Sequence, residues 1–313
     1  MAQLSDQLFV VSLFCHLVAM IGYAAAYAVN VRAPHRRLLT VGAAGDPATS
    51  GDTVGPVTRE AAPVQRWAGG VAVVATIAAA LAQAGALTTR GLAAERVPWG
   101  NMYEFILAVT LAGVLAWLAV LRQRPELQPL GLYVATSTLI LLGLAGLRVY
   151  TPAGPLVPAL NSTWLKIHVS TAALASGVFL LGFVTATAYL IAVRPARPGG
   201  LVSTLARRLP APAALERLTF RLHAFAFPIW TFAVIAGAIW AEASWGRYWG
   251  WDPKETWAFI SWVSYAAYLH ARATASVRRT TTAWLAIAGW ATMMFNLFAV
   301  NLVIAGLHSY AGA

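Results

Sequence analysis

Long apolar runs separated by short polar stretches follow one another along almost the whole chain. Eight of these runs approach or exceed the roughly 20 residues that a helix needs to cross about 30 Å of hydrocarbon. The runs are continuous rather than alternating, which is typical of transmembrane helices and not of barrel strands. The pattern therefore predicts an all-α, polytopic membrane protein of about eight transmembrane helices. The predicted spans are 8–30, 67–88, 103–121, 130–148, 164–193, 222–241, 257–272 and 282–306.

Composition supports this class. Of the 313 residues, 59% are hydrophobic and 11% are charged, whereas a soluble protein carries roughly 25% charged residues. The stretches between spans are too short for a soluble domain, so we expect a single membrane domain over 1–313. The one cysteine, Cys15, lies within the first span. It cannot form a CxxC pair, which excludes a thiol–disulfide oxidoreductase.

The distribution of basic residues predicts the orientation. If the N-terminus is outside, most of the 22 Lys and Arg residues fall in loops on the cytoplasmic side, as the positive-inside rule requires. Eight spans then place both termini outside. Because this topology accounts for the net charge of +11, we do not interpret that charge as nucleic-acid binding.

The predicted outer loop 242–257, between spans six and seven, is dense in aromatic and charged residues. Its central segment reads WGRYWGWDPKE. Aromatic residues collect at membrane interfaces, but an interfacial belt requires neither this density nor these charges. Aromatic faces stack well on a large flat apolar ligand such as a porphyrin, and glycines allow close approach of the backbone. The loop therefore predicts a ligand platform, with candidates Trp245, Trp249, Trp251, Asp252, Lys254 and Glu255.

Two histidines are predicted on the same outer side. His168 lies in the first turns of span five, and His308 follows span eight. Neutral imidazole is a common ligand of heme iron, so two histidines from separate helices would form a bis-imidazole site. His270 lies within span seven, nearer the cytoplasmic side. An ionisable residue inside a span is costly and suggests function, although Arg272 nearby leaves an interfacial role open.

Charged residues of the loop permit two further interpretations. Asp252, Lys254 and Glu255 could perform acid–base catalysis, but no Ser or Cys nucleophile accompanies them, so a hydrolase is disfavoured. Lys254 and Arg247 have the charge needed to bind the carboxylates of heme propionates. At the outer start of span three, the segment 101–104 has the pattern of a helix capping box.

The loop segment fits the tryptophan-rich WWD signature, WGxxWxWDxKE, at every specified position. With outer histidines on either side of it and an NMYE-like segment before span three, the whole chain resembles the CcsA/ResC-type subunit of the system II cytochrome c synthase. This subunit, named CcsB in some bacterial lineages, belongs to the heme-handling WWD superfamily. The resemblance implies that His168 and His308 ligate heme iron at an external site and that His270 ligates it within the membrane.

The resemblance also implies a function. Heme b would cross a bacterial cytoplasmic (plasma) membrane and be presented outside for thioether attachment to the CxxCH motif of apocytochrome c. The chain would be one subunit of a holocytochrome c synthase (heme lyase), active with a CcsB/ResB-type membrane partner that supplies a second intramembrane histidine. An external thiol-reducing protein is a further expected partner.

Alternative functions remain open on the sequence. A system I-type heme-delivery subunit also carries a WWD loop between two outer histidines, but it usually has six spans. A heme exporter without synthase chemistry would use the same binding residues. A diheme electron-transfer subunit would need paired histidines inside the bilayer, where only His270 and His16 qualify. A structural membrane subunit would leave the tryptophan-rich loop unexplained.

Overall fold

A computed structural model describes residues 1–29, 63–155, 161–195, 200–304 and 306. Within these ranges all regular secondary structure is helical, which confirms the all-α class. The elements are α1 (Ala2–Val29), α2 (Pro63–Ala93), α3 (Met102–Gln123), a 3-10 turn (Pro125–Leu130), α4 (Gly131–Arg148), α5 (Thr163–Ala192), α6 (Leu201–Ala206), α7 (Pro212–Trp245), α8 (Pro253–Ala273), α9 (Arg279–Met294), a π turn (Phe295–Ala299) and α10 (Val300–Leu302).

The described chain is a multi-pass membrane protein. Seven helices are long and apolar enough to cross a bilayer: α1 to α5, α7, and α9 with its continuation to Leu302. The helix at the predicted seventh span, α8, is also long enough, since its 21 residues extend about 30 Å. It is less apolar than the others because charged residues lie near both of its ends and polar residues between them.

Two helices extend well beyond their predicted spans. The helix α2 continues to Ala93 because the guanidinium of Arg90, in its last turn, forms a buried ion pair with Glu104. The helix α7 begins at Pro212, where Pro is favourable in the first turn. Its first turns carry Glu216, which pairs with Arg272 at the end of α8. At these extended ends, ion pairs between helices stabilise the helical conformation where apolar contacts are lacking.

Small residues allow the helices to approach closely. At the α1–α2 contact, a Cβ on Gly22 would lie 3.0 Å from the Cβ of Ala72. At the α3–α5 contact, a Cβ on Gly177 would lie 2.5 Å from the carbonyl oxygen of Val109. Such small-residue contacts are typical of membrane helices, where packing rather than hydrophobic burial drives association. They place α5 centrally, against α3, α7 and α9.

Candidate functional site

The tryptophan-rich loop is held in a defined conformation between α7 and α8. Gly246 ends α7 in the left-handed region (φ 70°), and Trp251 also has a positive φ of 58°. A positive φ is uncommon for a non-glycine residue and costs about 1–3 kcal/mol. The surrounding contacts must therefore hold Trp251, whose side chain is exposed.

The two loop carboxylates supply those contacts. The Asp252 side chain caps α8 by accepting a hydrogen bond from the backbone N–H of Lys254 (3.1 Å). The Glu255 carboxylate accepts from the N–H groups of Gly250 (2.8 Å) and Asp252 (3.1 Å). These bonds complete a capping box. Both acidic residues of the WWD motif thus fix the loop on α8.

Beneath the loop lies an open cavity of about 200 Å³. Its walls come from α3, α5, α7, α8 and α9, together with the loop and the segment that precedes α3. The lining combines aromatic and aliphatic side chains with one imidazole, one ammonium group, one carboxylate and the thioethers of methionines. The lining includes Trp99, His168, Trp240, Trp249, Lys254 and Met293. A mostly apolar lining with a few convergent polar groups is typical of a small-molecule site.

His168 faces this cavity with a defined tautomer. Its Nδ1 lies 2.7 Å from the carbonyl oxygen of Ala233 on α7. Since a carbonyl can only accept, Nδ1 carries the proton and Nε2 of a neutral ring is the nitrogen able to ligate a metal. Gly237 makes room for the ring, because a Cβ there would lie 2.7 Å from Nδ1. Ala233 and Gly237 thus fix the tautomer and the position of the His168 ring.

Tryptophans continue outward from His168. The ring of Trp240 lies parallel to the imidazole, with centroids 6.4 Å apart and planes 13° apart. Trp245 packs on Trp240 at 4.9 Å. Trp249 lines the cavity and contacts Trp251 edge-on at 5.8 Å. Of the three predicted loop tryptophans, Trp249 lines the cavity, whereas Trp245 and Trp251 pack on tryptophans that line it.

Lys254 brings a positive charge to the cavity. Among the described residues its ammonium forms no ion pair, and its side-chain hydrogen bond goes to the sulfur of Met102 at 3.9 Å. Burial lowers the pKa of Lys254 to about 8, an effect that nearby Asp252 partly offsets. An ammonium group that lines a mostly apolar cavity is suited to bind a carboxylate of a ligand.

The two other predicted heme ligands lie elsewhere in the chain. His308 is outside the described residues, but Gly306 lies against Asp252, where a Cβ would be 2.8 Å from Oδ1. His270 is exposed in the last turn of α8. It is 16 residues from Lys254, or about 24 Å along the helix. The structure therefore separates His270 from the cavity.

The sequence did not identify the tryptophans that line the cavity from within or beside the transmembrane helices. Trp230 and Trp240 lie on α7, and Trp99 immediately precedes the capping segment of α3. The signal available for Trp240 was its position five residues before Trp245, at the same end of the helix. For Trp99 it was the adjacent Gly-Asn pair at a helix start. Tryptophans within apolar spans otherwise resemble ordinary core residues.

Family comparison gives an independent finding. Residues 99–308 match the family described as cytochrome c assembly protein. The chain is 34% identical to a cytochrome c biogenesis protein CcsA of Guillardia theta, over 72% of this chain and 80% of that protein. It is 32% identical to a CcsA of Gloeobacter violaceus, over 75% and 85%. Each of these matches includes most of both chains.

A solved structure has a similar fold. The protein described as cytochrome c heme lyase CcmF superposes with a TM-score of 0.55 at 21% sequence identity. The superposition covers 96% of this chain and 50% of that one. At this identity the match shows a common fold, with this chain spanning half of the length of the larger protein.

Proposed function

Because the chain belongs to the cytochrome c assembly protein family and is of the CcsA type, we propose that its outer cavity presents heme for covalent attachment to apocytochrome c. Membership of this family gives the chain a heme-handling role in cytochrome c maturation. The proposal adds the site, the residues and the reaction. Heme enters as a substrate that leaves with the product.

The observation that carries the proposal is His168 in the aromatic cavity. Its Nδ1–H is bound to the Ala233 carbonyl, which directs the metal-binding nitrogen and increases its basicity. Trp99, Trp240 and Trp249 line the same space and provide flat faces for a porphyrin. An imidazole, flat walls and an ammonium group in one cavity match the iron, the ring and the propionates of heme.

We assign His308 as the second axial ligand of the external heme. Gly306, two residues before it, lies beside Asp252 at the start of α8. The described chain therefore reaches the loop close in sequence to His308. Trp245, Trp249 and Trp251 would hold the ring, while Lys254 would bind a propionate. Asp252 and Glu255 would act by positioning this loop rather than by transferring protons.

The attachment reaction needs orientation more than acid–base chemistry. Each cysteine S–H of the CxxCH motif adds across one vinyl C=C bond of heme. The sulfur bonds to one vinyl carbon, and the proton goes to the other, so no electron or atom is lost. Holding the vinyl edge toward the incoming thiol converts a bimolecular encounter into an oriented one. The histidine of the CxxCH motif would then replace His168 or His308 on the iron.

The inner site would use His270 and a second chain. His270 is exposed on α8, so a histidine from a CcsB/ResB-type partner could ligate the opposite face of the same heme. Transfer of heme b from this site to the cavity, across a bacterial cytoplasmic membrane, would make the chain one subunit of a holocytochrome c synthase. A thiol-reducing protein outside the membrane would keep the apocytochrome cysteines reactive.

Covalent heme on a reporter cytochrome tests this function. The chain is co-expressed with its CcsB/ResB-type partner and the apocytochrome, and thioether-bound heme is measured on denaturing gels. We expect His168→Ala and His308→Ala to abolish the signal at unchanged protein level, with partial recovery in added imidazole. Full signal in both variants would refute the proposed site. Heme bound at His168 without any thioether product would instead favour heme export or delivery.

A further inference from the structure

A line of aromatic rings runs from the cavity down the membrane-facing side of α8. Trp249 and Trp251 each contact Phe259, at 6.4 and 6.3 Å between centroids. Phe259 in turn lies parallel to Trp262, at 6.2 Å and 7°. Trp262 contacts Phe227 of α7 at 5.5 Å. We call these five residues the aromatic seam; it joins the loop to the α7–α8 groove.

The inner end of the seam approaches His270. Phe259, Val263 and His270 follow one another at helical spacings of four and seven residues, so they share one face of α8. All three are exposed. Trp262 is two turns from His270, or about 12 Å. The seam therefore extends most of the way between the two proposed heme sites.

The interior offers no comparable route among the described residues. The cavity floor is formed by Ser176 of α5 and Met293 of α9. One turn below Ser176, the buried rings of Phe179 and Tyr265 stack at 3.7 Å and 3°. The buried imidazole of His223 packs on both rings. This aromatic plug separates the cavity from the other end of the bundle.

Two rings of the seam are held in place by specific contacts with other parts of the protein. The indole N–H of Trp262 donates to Thr231 of α7 at 2.9 Å, which fixes the orientation of its ring. Trp249 belongs to both the seam and the cavity wall. In addition, α8 is less apolar than the seven candidate spans, so general lipid exposure does not explain an aromatic face on this helix.

We propose that the aromatic seam is the path by which heme moves between His270 and the outer cavity. Heme would pass along the outside of α8, its ring against successive aromatic faces, and would enter the cavity at Trp249. The inference rests on the proposed function, since it needs heme at both ends. It assigns Phe227, Phe259 and Trp262 a role that neither site requires by itself.

The test uses a double variant in the complex with its partner. Phe259→Leu with Trp262→Leu keeps the apolar surface but removes two flat rings. Phe225→Leu is the matched control, because Phe225 is exposed on α7 about 200° around the helix from Phe227. Heme per complex is measured with His168 intact and in a His168→Ala background. The difference reports the outer heme, and the background value reports the inner heme.

We expect the double variant to lower the outer heme by roughly tenfold, because two stacking contacts are lost, while the inner heme is unchanged. An outer heme equal to that of Phe225→Leu would overturn the path, and so would equal loss at both sites. If the wild-type complex contains no heme that depends on His168, the proposed function itself fails, and this result is distinguishable from failure of the path.

Thiol protection gives a second readout that does not depend on turnover. Val263→Cys is placed on the seam face in a Cys15→Ala protein, and Leu81→Cys on the exposed face of α2 is the control. Added hemin should slow maleimide labelling at position 263 and leave position 81 unaffected. A labelling rate at position 263 that does not change when hemin is added would contradict the proposed path.

Discussion

Gly237 controls the position of His168 at the residue scale. A Cβ at this position would lie 2.7 Å from Nδ1 and 2.8 Å from Cε1 of the imidazole, so Gly237→Ala must displace the ring. Overpacking of this kind costs about 1–3 kcal/mol. We expect Gly237→Ala to weaken heme binding by roughly tenfold, measured by titration of the apoprotein complex with heme.

Gly143→Ala is the matched control for this prediction. Gly143 lies on the transmembrane helix α4, and a Cβ there meets no atom within 4 Å. The substitution should leave heme binding unchanged and stabilise the helix by about 0.5–1 kcal/mol. Equal affinities for Gly237→Ala and wild type would show that the observed orientation of His168 is not needed for heme.

Lys254 gives heme binding a predicted pH dependence. Its pKa is lowered to about 8 by burial, so the ammonium form that binds a propionate is present below pH 8 and is lost above it. We expect the affinity for heme to decrease as the pH rises from 7 to 9, by at most about tenfold per pH unit. Lys254→Gln should bind more weakly at pH 7 and remove this dependence.

Lys166→Gln serves as the control for charge alone, because Lys166 lies on α5 outside the cavity lining. The Lys166→Gln protein should keep the wild-type dependence of heme affinity on pH. A wild-type affinity that is constant between pH 7 and 9 would contradict the assignment of Lys254 to a propionate.

The functional residues of the loop could be predicted from the sequence, but the residues that form the walls of the cavity could not. The WWD segment is unusual in composition, so its tryptophans and Lys254 could be recognised without a structure. Trp230 and Trp240 lie in an apolar span, where a tryptophan is equally expected in the core. Their convergence with His168 depends on the packing of α5 against α7, which no local pattern encodes.

At the element scale, one buried ion-pair cluster joins the end of α2 to the start of α3. The Glu104 carboxylate accepts hydrogen bonds from Arg90 (2.8 Å), from two nitrogens of Arg96 (2.8 and 3.0 Å) and from the N–H of Gly100 (2.7 Å). The cluster holds the segment before α3, which carries Trp99 into the cavity wall. The predicted capping bond from Glu104 N–H to Asn101 is confirmed at 2.9 Å.

Glu104→Gln should destabilise the protein strongly. It would leave Arg96 without a carboxylate partner and Arg90 with only Asp6, 4.0 Å away. Breaking a buried pair in this way costs about 3–5 kcal/mol. The matched control is Glu126→Gln, whose pair with Arg124 is exposed and contributes about 0–1 kcal/mol. Thermal unfolding in detergent compares the two. Similar midpoints would show that the cluster does not stabilise the α2–α3 contact.

The hydrophobic pattern located the helices but did not predict where each helix begins and ends. The predicted spans located every long helix, because each needs an apolar segment to face lipid. Extensions such as the first turns of α7 are polar, and they depend on contacts with other helices that the sequence does not reveal. The helix α8 is the opposite case: it is long enough to span, but its polar residues reduce its hydropathy below that of the other seven.

At the scale of the whole molecule, α8 determines the topology. If α8 crosses the membrane together with the seven candidate spans, both termini lie on the same side, and the basic loops place that side outside. Alkaline phosphatase, which is active only outside the cytoplasm, should therefore be active when fused to either terminus. Opposite activities at the two ends would mean that α8 does not cross.

A fusion after Arg124 supplies the internal control. This position follows α3 in a predicted cytoplasmic loop, so phosphatase fused there should be inactive. An outside location for the C-terminus matters for function, since His308 must reach the same face as the tryptophan-rich loop.

An absorption spectrum of the complex purified with its partner shows whether His168 ligates heme in the outer cavity. Wild type and His168→Ala are compared in the reduced state, with and without imidazole. We predict bis-histidine bands in the wild type, weaker bands in the variant, and recovery when imidazole is added. An unchanged spectrum in His168→Ala would contradict the assignment and would leave the cavity without a heme ligand on α5.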